Sequence, residues 1–212
     1  MGVFKTSVRN IVKTRHGRKL AAKDISEWYN GAYADKKDLS VFALRITDKM
    51  QLGKMYRFVY TPLNKENLNW YDRNPLILFV GRFEFSDSKM DCGINLNLLP
   101  FEVRVFLMDK IFTLFKRKIL PQISGRLANN AKKQRPLNIA FEDINRIVKK
   151  LFISYAVRFY APKKRRQTAV ISYEHWSKMM LLEIYKFKKT NPNKVYKGYY
   201  KFVKKRKKQL NK

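Results

Sequence analysis

In 212 residues, 47 Lys and Arg stand against 16 Asp and Glu, a formal net charge of +31 at neutral pH. That excess is far beyond what solubility requires, and at a Debye length of about 8 Å neighbouring cations repel one another unless a polyanion neutralises them. A hydrophobic content of 45% with 14% aromatics excludes a merely disordered basic tail, and no apolar run approaches the ~20 residues of a spanning helix.

One domain with appendages is expected. The single Cys92 cannot form an intramolecular disulfide, and no signal-peptide apolar segment is present, so synthesis in a reducing compartment is expected. The first 20 residues are basic and acid-free, as a transit peptide would be, but targeting does not explain a basic excess that runs to the other end of the chain. Residues 1–143 hold 26 basic and 14 acidic side chains, whereas 144–212 hold 21 basic side chains and only Glu174 and Glu183. The last third is the densest electrostatic footprint.

In chain order, Thr6–Leu20 reads as a basic arm and Ala21–Tyr33 as a short helix that Asp24 or Ser26 could cap, with Trp28, Tyr29 and Tyr33 on one side. Val41–Ile46 fits a short strand. Met55–Tyr60 alternates as a half-buried strand, Pro62–Trp70 is a connection, and Leu76–Val80 is a continuous apolar strand ending at Gly81, prolonged or followed by Arg82–Phe85. Ser86–Lys89 is a polar turn. Gly93–Leu99 alternates again, with Ile94, Leu96 and Leu98 against Asn95 and Asn97.

Pro100 opens a predicted helix over Phe101–Leu120, apolar nearly all round and therefore expected as a buried central helix. After a Gly/Asn/Lys-rich break over Pro121–Arg135, Phe141–Tyr155 carries apolar residues at i, i+3, i+4 spacing, with Arg146, Lys149 and Lys150 opposite. Thr168–Ile171 is a short strand, and Ser172 with Glu174 begins a further helix. The fold class expected is α+β: a small bent antiparallel sheet or partial barrel on a central helix, with further helices and a basic helical tail. The parts are a basic arm and short helix over 1–40, a core domain over 41–185, and an amphipathic tail over 186–212.

The tail carries the strongest physical signal. As a helix, Val195–Lys208 puts Tyr196, Tyr199, Tyr200 and Val203 on one face and Lys197, Lys201, Lys204, Lys205 and Lys208 on the other. Its tyrosines either pack on the domain or stack on bases, while its lysines track phosphates. Asn191-Pro192-Asn193 before it reads as a hinge. A second cluster, Lys163-Lys164-Arg165-Arg166, suits a phosphate clamp, a solvated loop or a nuclear-localisation string. A third, Lys116-Arg117-Lys118, is explained equally by the helix dipole.

Catalysis has little to rest on. His16, His175 and Cys92 lack partners at metal-ligand spacing, and no Walker, Rossmann or nucleophile-elbow glycine pattern occurs, so no catalytic residue, metal or cofactor is assigned. One enzymatic alternative is a Mg²⁺-dependent nuclease, with Asp72 and Asp87 as carboxylates and Lys89 beside the attacking water. Asp72 and Arg73 would equally form an ion pair that stabilises a turn. A structural DNA-packaging or RNA-binding protein is a further alternative.

Three segments together resemble a family. Leu52–Pro62 (LGKMYRFVYTP), Trp70–Leu78 (WYDRNPLIL) and Gly93–Pro100 (GINLNLLP) are similar to the virion proteins of T4-like tailed phages described as DNA end protectors. Ile171 with Glu174, His175, Trp176, Leu182 and Glu183 extends the resemblance, which runs with gaps from Leu52 to Phe187. Asn74 and Leu98 stand where that family commonly has aromatic residues, and the tail beyond Phe187 has no counterpart in the resemblance. It implies a DNA-binding virion protein, made in the host cytoplasm, that binds the ends of the linear double-stranded genome with sequence-neutral backbone contacts and blocks host exonuclease. Phage head or tail proteins are further candidate partners, and no membrane is implied. Trp70, Tyr71 and Arg73 become candidates for end contact, with Lys163, Lys164, Arg165, Arg166 and the tail lysines on the backbone.

Overall fold

Residues 76–80 are apolar without a break because both sides of their strand are covered. Leu76, Leu78 and Val80 enter one core, and Ile77 and Phe79 enter a second. Full burial of each such side chain stabilises by roughly 1.5–3 kcal/mol, so this strand anchors the sheet. The computed structural model describes residues 49–85, 88–107, 110–111, 141–171, 176, 179 and 185–210. The predicted basic arm, the first short helix, Val41–Ile46, the break over Pro121–Arg135 and the helix start at Ser172 lie outside them.

Five strands form one antiparallel sheet in the order β5-β4-β3-β1-β6. They are β1 (Met55–Tyr60), β3 (Leu76–Phe85), β4 (Ser88–Asn95), β5 (Val157–Tyr160) and β6 (Arg165–Ile171). A separate pair joins β2 (Tyr71–Asp72) to β7 (Phe187–Lys188). The expected α+β class with a bent antiparallel sheet is what is observed. Arg82–Phe85 prolongs β3, bent by a register shift between Phe79 and Gly81, with Gly81 at φ 150°. A second shift lies between Arg57 and Val59 on β1, opposite Gln167 at φ 52°. Both are bulges, which bend a strand and increase its twist.

The bend has a topological cause. β5 and β6 occupy opposite edges of the sheet, yet only residues 161–164 join them, three of these in a 3-10 turn (Pro162–Lys164). A flat sheet would separate the edges by about 19 Å, whereas a fully extended link of this length reaches at most ~17 Å and a 3-10 turn far less. The sheet therefore curls until its edges approach. Tyr160 of β5 lies edge-on to Phe58 and Tyr60 of β1 at 5.1 and 5.0 Å, and Asp91 of β4 meets Arg165 of β6 at 2.7 Å. The edges do not pair, so the sheet is not a closed barrel.

Two predicted helices differ from their expected form. The described part of the helix after Pro100, residues 101–107 and 110–111, is two-sided: Leu107 and Ile111 are buried, but Phe106 is 59% exposed. Its buried face also holds Arg104, whose Nε donates to the Leu99 carbonyl and whose Nη2 donates to the Tyr196 hydroxyl, both at 2.9 Å. The next helix, α1, spans Phe141–Lys150 rather than running to Tyr155. Phe152 turns into the left-handed region (φ 53°, ψ 34°), and a 3-10 turn, Ile153–Ala156, buries Ile153 and Ala156. The following residues are required to pair as β5 with β4, and that tertiary demand overrides the helical spacing.

The tail helix, α2, spans Pro192–Leu210. The predicted hinge is its N-terminus: Asn191 Oδ1 accepts from the Lys194 amide at 3.0 Å, and Pro192 begins the first turn, where a missing N–H costs nothing. Val195 and Tyr199 join the main core. Gly198 makes the approach possible, since a Cβ there would stand 2.7 Å from the Tyr155 hydroxyl.

Candidate nucleic-acid interface

A cleft of about 440 Å³ opens on the concave side of the sheet, between the 62–72 connection and β5. Its lining includes Tyr60, Trp70, Tyr71, Asp72, Asn95, Arg158 and Tyr160. The connection that forms one wall is pinned from a distance in sequence. Lys189 Nζ donates to the carbonyls of Lys65, Glu66 and Leu68 at 3.1, 2.9 and 3.1 Å. Trp70 packs edge-on to Phe187 at 5.9 Å, and the Arg158 guanidinium lies 6.0 Å from its ring centroid. Arg158 is itself fixed by donating Nη1 to the carbonyls of Tyr155 and Val157 at 2.6 and 2.8 Å.

Asp72 holds the floor together and is not free for catalysis. Its Oδ1 accepts from the amides of Asn74 and Lys186 at 3.0 and 3.1 Å. Oδ2 accepts from Asn95 and Asn97 Nδ2 at 3.3 and 2.7 Å. Burial pushes this carboxyl above the ordinary aspartate range, and the four hydrogen bonds oppose that shift. Neither a surface ion pair with Arg73 nor a metal ligand describes it. The nuclease arrangement is not assembled: Asp72 binds Asn95 at one end of β4, whereas Lys89 lies six residues away, about 20 Å along the strand. Lys89 Nζ pairs with Glu84 at 2.8 Å, and Asp87 lies outside the described residues. Among the described residues, no group of His, Cys, Asp and Glu is placed to hold a metal ion.

The hydroxyls at the floor are held neutral. Burial pushes the Tyr160 phenol well above its usual range, with the Asp72 charge adding to the effect, and burial also raises Tyr60. The Tyr60 hydroxyl accepts from the Ala161 amide at 3.4 Å.

Exposed cations lie on the chain segments that border the cleft. Arg73 is exposed, its carbonyl accepting from the Tyr60 amide at 2.8 Å and its amide donating to Lys186 at 3.0 Å. Lys163, Lys164 and Arg166 are exposed on and after the turn that joins β5 to β6, whose Lys164 carbonyl accepts from Thr61 beside the cleft. Arg165 differs from its three neighbours. Its side chain is 4% exposed and lies 2.7 Å from Asp91, which is wholly buried and also accepts from Arg82 Nε at 2.7 Å. Leaving Asp91 unpaired would cost several kcal/mol, so Arg165 belongs to the sheet interior.

On α2, Lys197, Lys201, Lys204, Lys205 and Lys208 are all exposed, as are Lys194, Arg206 and Lys207, and no acidic residue occurs in the helix. Tyr196 and Tyr199 pack on the domain, and Tyr200 is 54% exposed. From Lys204 to Leu210 every residue is exposed, so the last two turns of α2 project from the core. No described helix is long and apolar enough to cross a membrane.

Sequence reasoning brought out Trp70, Tyr71 and Arg73 and missed the facing wall. Arg158, Phe159 and Tyr160 follow a helix-like spacing that hides a strand, and Tyr60 and Asn95 read as plain strand alternation. None of the curated proteins and none of the solved structures matches the chain. A family described as the phage T4 terminal DNA protecting protein matches residues 1–199, which carries the likeness past Phe187 into α2 and leaves only the last 13 residues outside it. By that match over most of its length, the chain belongs to the family of phage T4 terminal DNA protecting proteins.

Proposed function

We propose that this protein seats on the termini of the linear phage genome within the virion and denies them to host exonuclease by occupancy, without chemistry of its own. The observation that supports this reading best is the pairing of two surfaces: an acid-free cationic helix that projects from the core, and an aromatic cleft with a cationic rim. The 19 residues of α2 extend about 28 Å, a length over which duplex DNA carries roughly 16 phosphate charges. Lys197, Lys201, Lys204, Lys205 and Lys208 contact the backbone together with Lys163, Lys164 and Arg166. Such contacts position a duplex without reading its sequence. Trp70, Tyr71 and Arg73 lie at the cleft and meet the terminus. Head or tail proteins complete the assembly.

The test is an end-labelled linear duplex incubated with Mg²⁺ and a processive exonuclease, with and without the protein, beside a nicked circle carrying an internal label. Linear DNA is expected to survive only when the protein is present, the nicked circle is expected to gain no protection, and the protein with Mg²⁺ alone is expected to leave both intact. Metal-dependent degradation by the protein alone would overturn the proposal.

A further inference from the structure

We infer that the cleft takes one unpaired nucleobase from the DNA terminus, stacked against Trp70 and the tyrosines, with the adjoining phosphate at Arg158. This deepens the end-binding reading and rests on it. The cleft's volume of about 440 Å³ lies within the range of small-ligand sites, roughly 300–1,000 Å³, and suits a single nucleotide rather than a duplex. Its walls offer flat aromatic surfaces, which hold bases without regard to their identity.

The polar groups around the cleft suit the same ligand. The floor is closed beneath the aromatic walls: the Tyr160 hydroxyl is sealed from solvent and faces the Asn95 side chain. Beside it, Asn95 is held by accepting from the Asn97 amide at 3.0 Å and by giving one N–H to Asp72. Because Asp72 already accepts four hydrogen bonds, the floor presents no open carboxylate, a surface that suits a neutral base. Arg158 has Nη1 engaged by two carbonyls, which presets its guanidinium at the cleft. A charge-assisted contact from so fixed a group suits a terminal phosphate. The rim cations Arg73, Lys163 and Lys164 favour a nucleic acid over a peptide side chain as occupant.

The experiment measures affinity of the full chain, by fluorescence anisotropy, for hairpin duplexes with one open end. The ends compared carry a one-nucleotide overhang with its base, the same overhang made abasic, or a closed loop with no end. Wild type is expected to bind the base-bearing overhang roughly 5- to 150-fold more tightly than the abasic one. Trp70→Ala is expected to abolish that difference and Trp70→Phe to retain most of it, with the salt dependence unchanged in both. Equal affinity of wild type for base-bearing and abasic overhangs would overturn the inference, and this comparison needs no variant. If open ends still outcompete the closed loop in that case, end binding stands and only the base pocket falls. If they do not, the end-binding reading falls as well.

Discussion

The cleft and helix α2 solve opposite problems with different side chains. Around the cleft, each group is held by several others: Asp72 by four donors, Arg158 by two carbonyls, and the 62–70 connection by the Lys189 ammonium. Along the outer half of α2, every residue from Lys204 to Leu210 is exposed. A preorganised cleft can discriminate one feature of a ligand, because little ordering entropy remains to oppose binding. An exposed lysine row gives attraction that acts at a distance, is blind to sequence and weakens with salt. On the proposed reading, charge would bring DNA to the molecule and the cleft would register that the DNA has an end.

The largest effect that could break this contrast lies in α2. Binding of the wild type to linear duplex is expected to weaken by about 10³–10⁵ between 50 and 200 mM salt if six to ten phosphates are neutralised. Replacing Lys204, Lys205, Arg206, Lys207 and Lys208 by Gln should lower the slope of log affinity against log salt by about 4–5 and leave the preference for ends in place. Salt titrations on open and closed duplexes measure both. An unchanged slope would remove α2 from the interface.

A smaller effect sharpens the contrast inside the Lys163–Arg166 run. Arg165→Met strands Asp91 in the interior with only the partly exposed Arg82 and should destabilise by about 3 kcal/mol in urea unfolding, with no change in salt slope. Lys164→Met should do the reverse, changing stability by less than about 0.5 kcal/mol and the slope by about 1. The same outcome for both variants would mean that the run acts as one patch.

The smallest effect concerns the cleft floor at high pH. Burial raises the phenols of Tyr160, Tyr60 and Tyr56 above the ordinary tyrosine value of 10.0, so the folded state holds their protons more tightly than the unfolded chain does. The stability this gives is fully present below pH ~10 and is lost as pH rises through the raised values. Tyr160→Phe should make the fall in stability above pH ~10 shallower by up to about 1.4 kcal/mol per pH unit. Denaturant titrations at successive alkaline pH values measure it, and an unaltered slope would mean that the Tyr160 hydroxyl is solvated.

Much of this protein was legible in its sequence because the relevant physics is local. Net charge and its concentration after Ile144 are sums over residues, and no fold can change them. Alternation in Met55–Tyr60, the unbroken apolar run Leu76–Val80 and the acid-free amphipathic tail each reflect an environment that repeats along one element. The resemblance to terminal DNA protecting proteins was carried by contiguous segments in the same way. What the tertiary structure decided depends on residues distant in sequence. A helical spacing over Phe141–Tyr155 gave way after Lys150 because β4 needed a partner strand. Arg165 could not be told from Lys164 until the sheet curled and brought Asp91 to it. Asp72, which by sequence belongs to a turn or to a metal site, became the buried centre of a network with Asn95, Asn97 and Lys186. The cleft follows from the same curl, since a link of four residues between opposite edges of a five-stranded sheet forces Tyr160 against Tyr60. Local patterns set which residues were cations, strands and core, and chain connectivity set which of them meet.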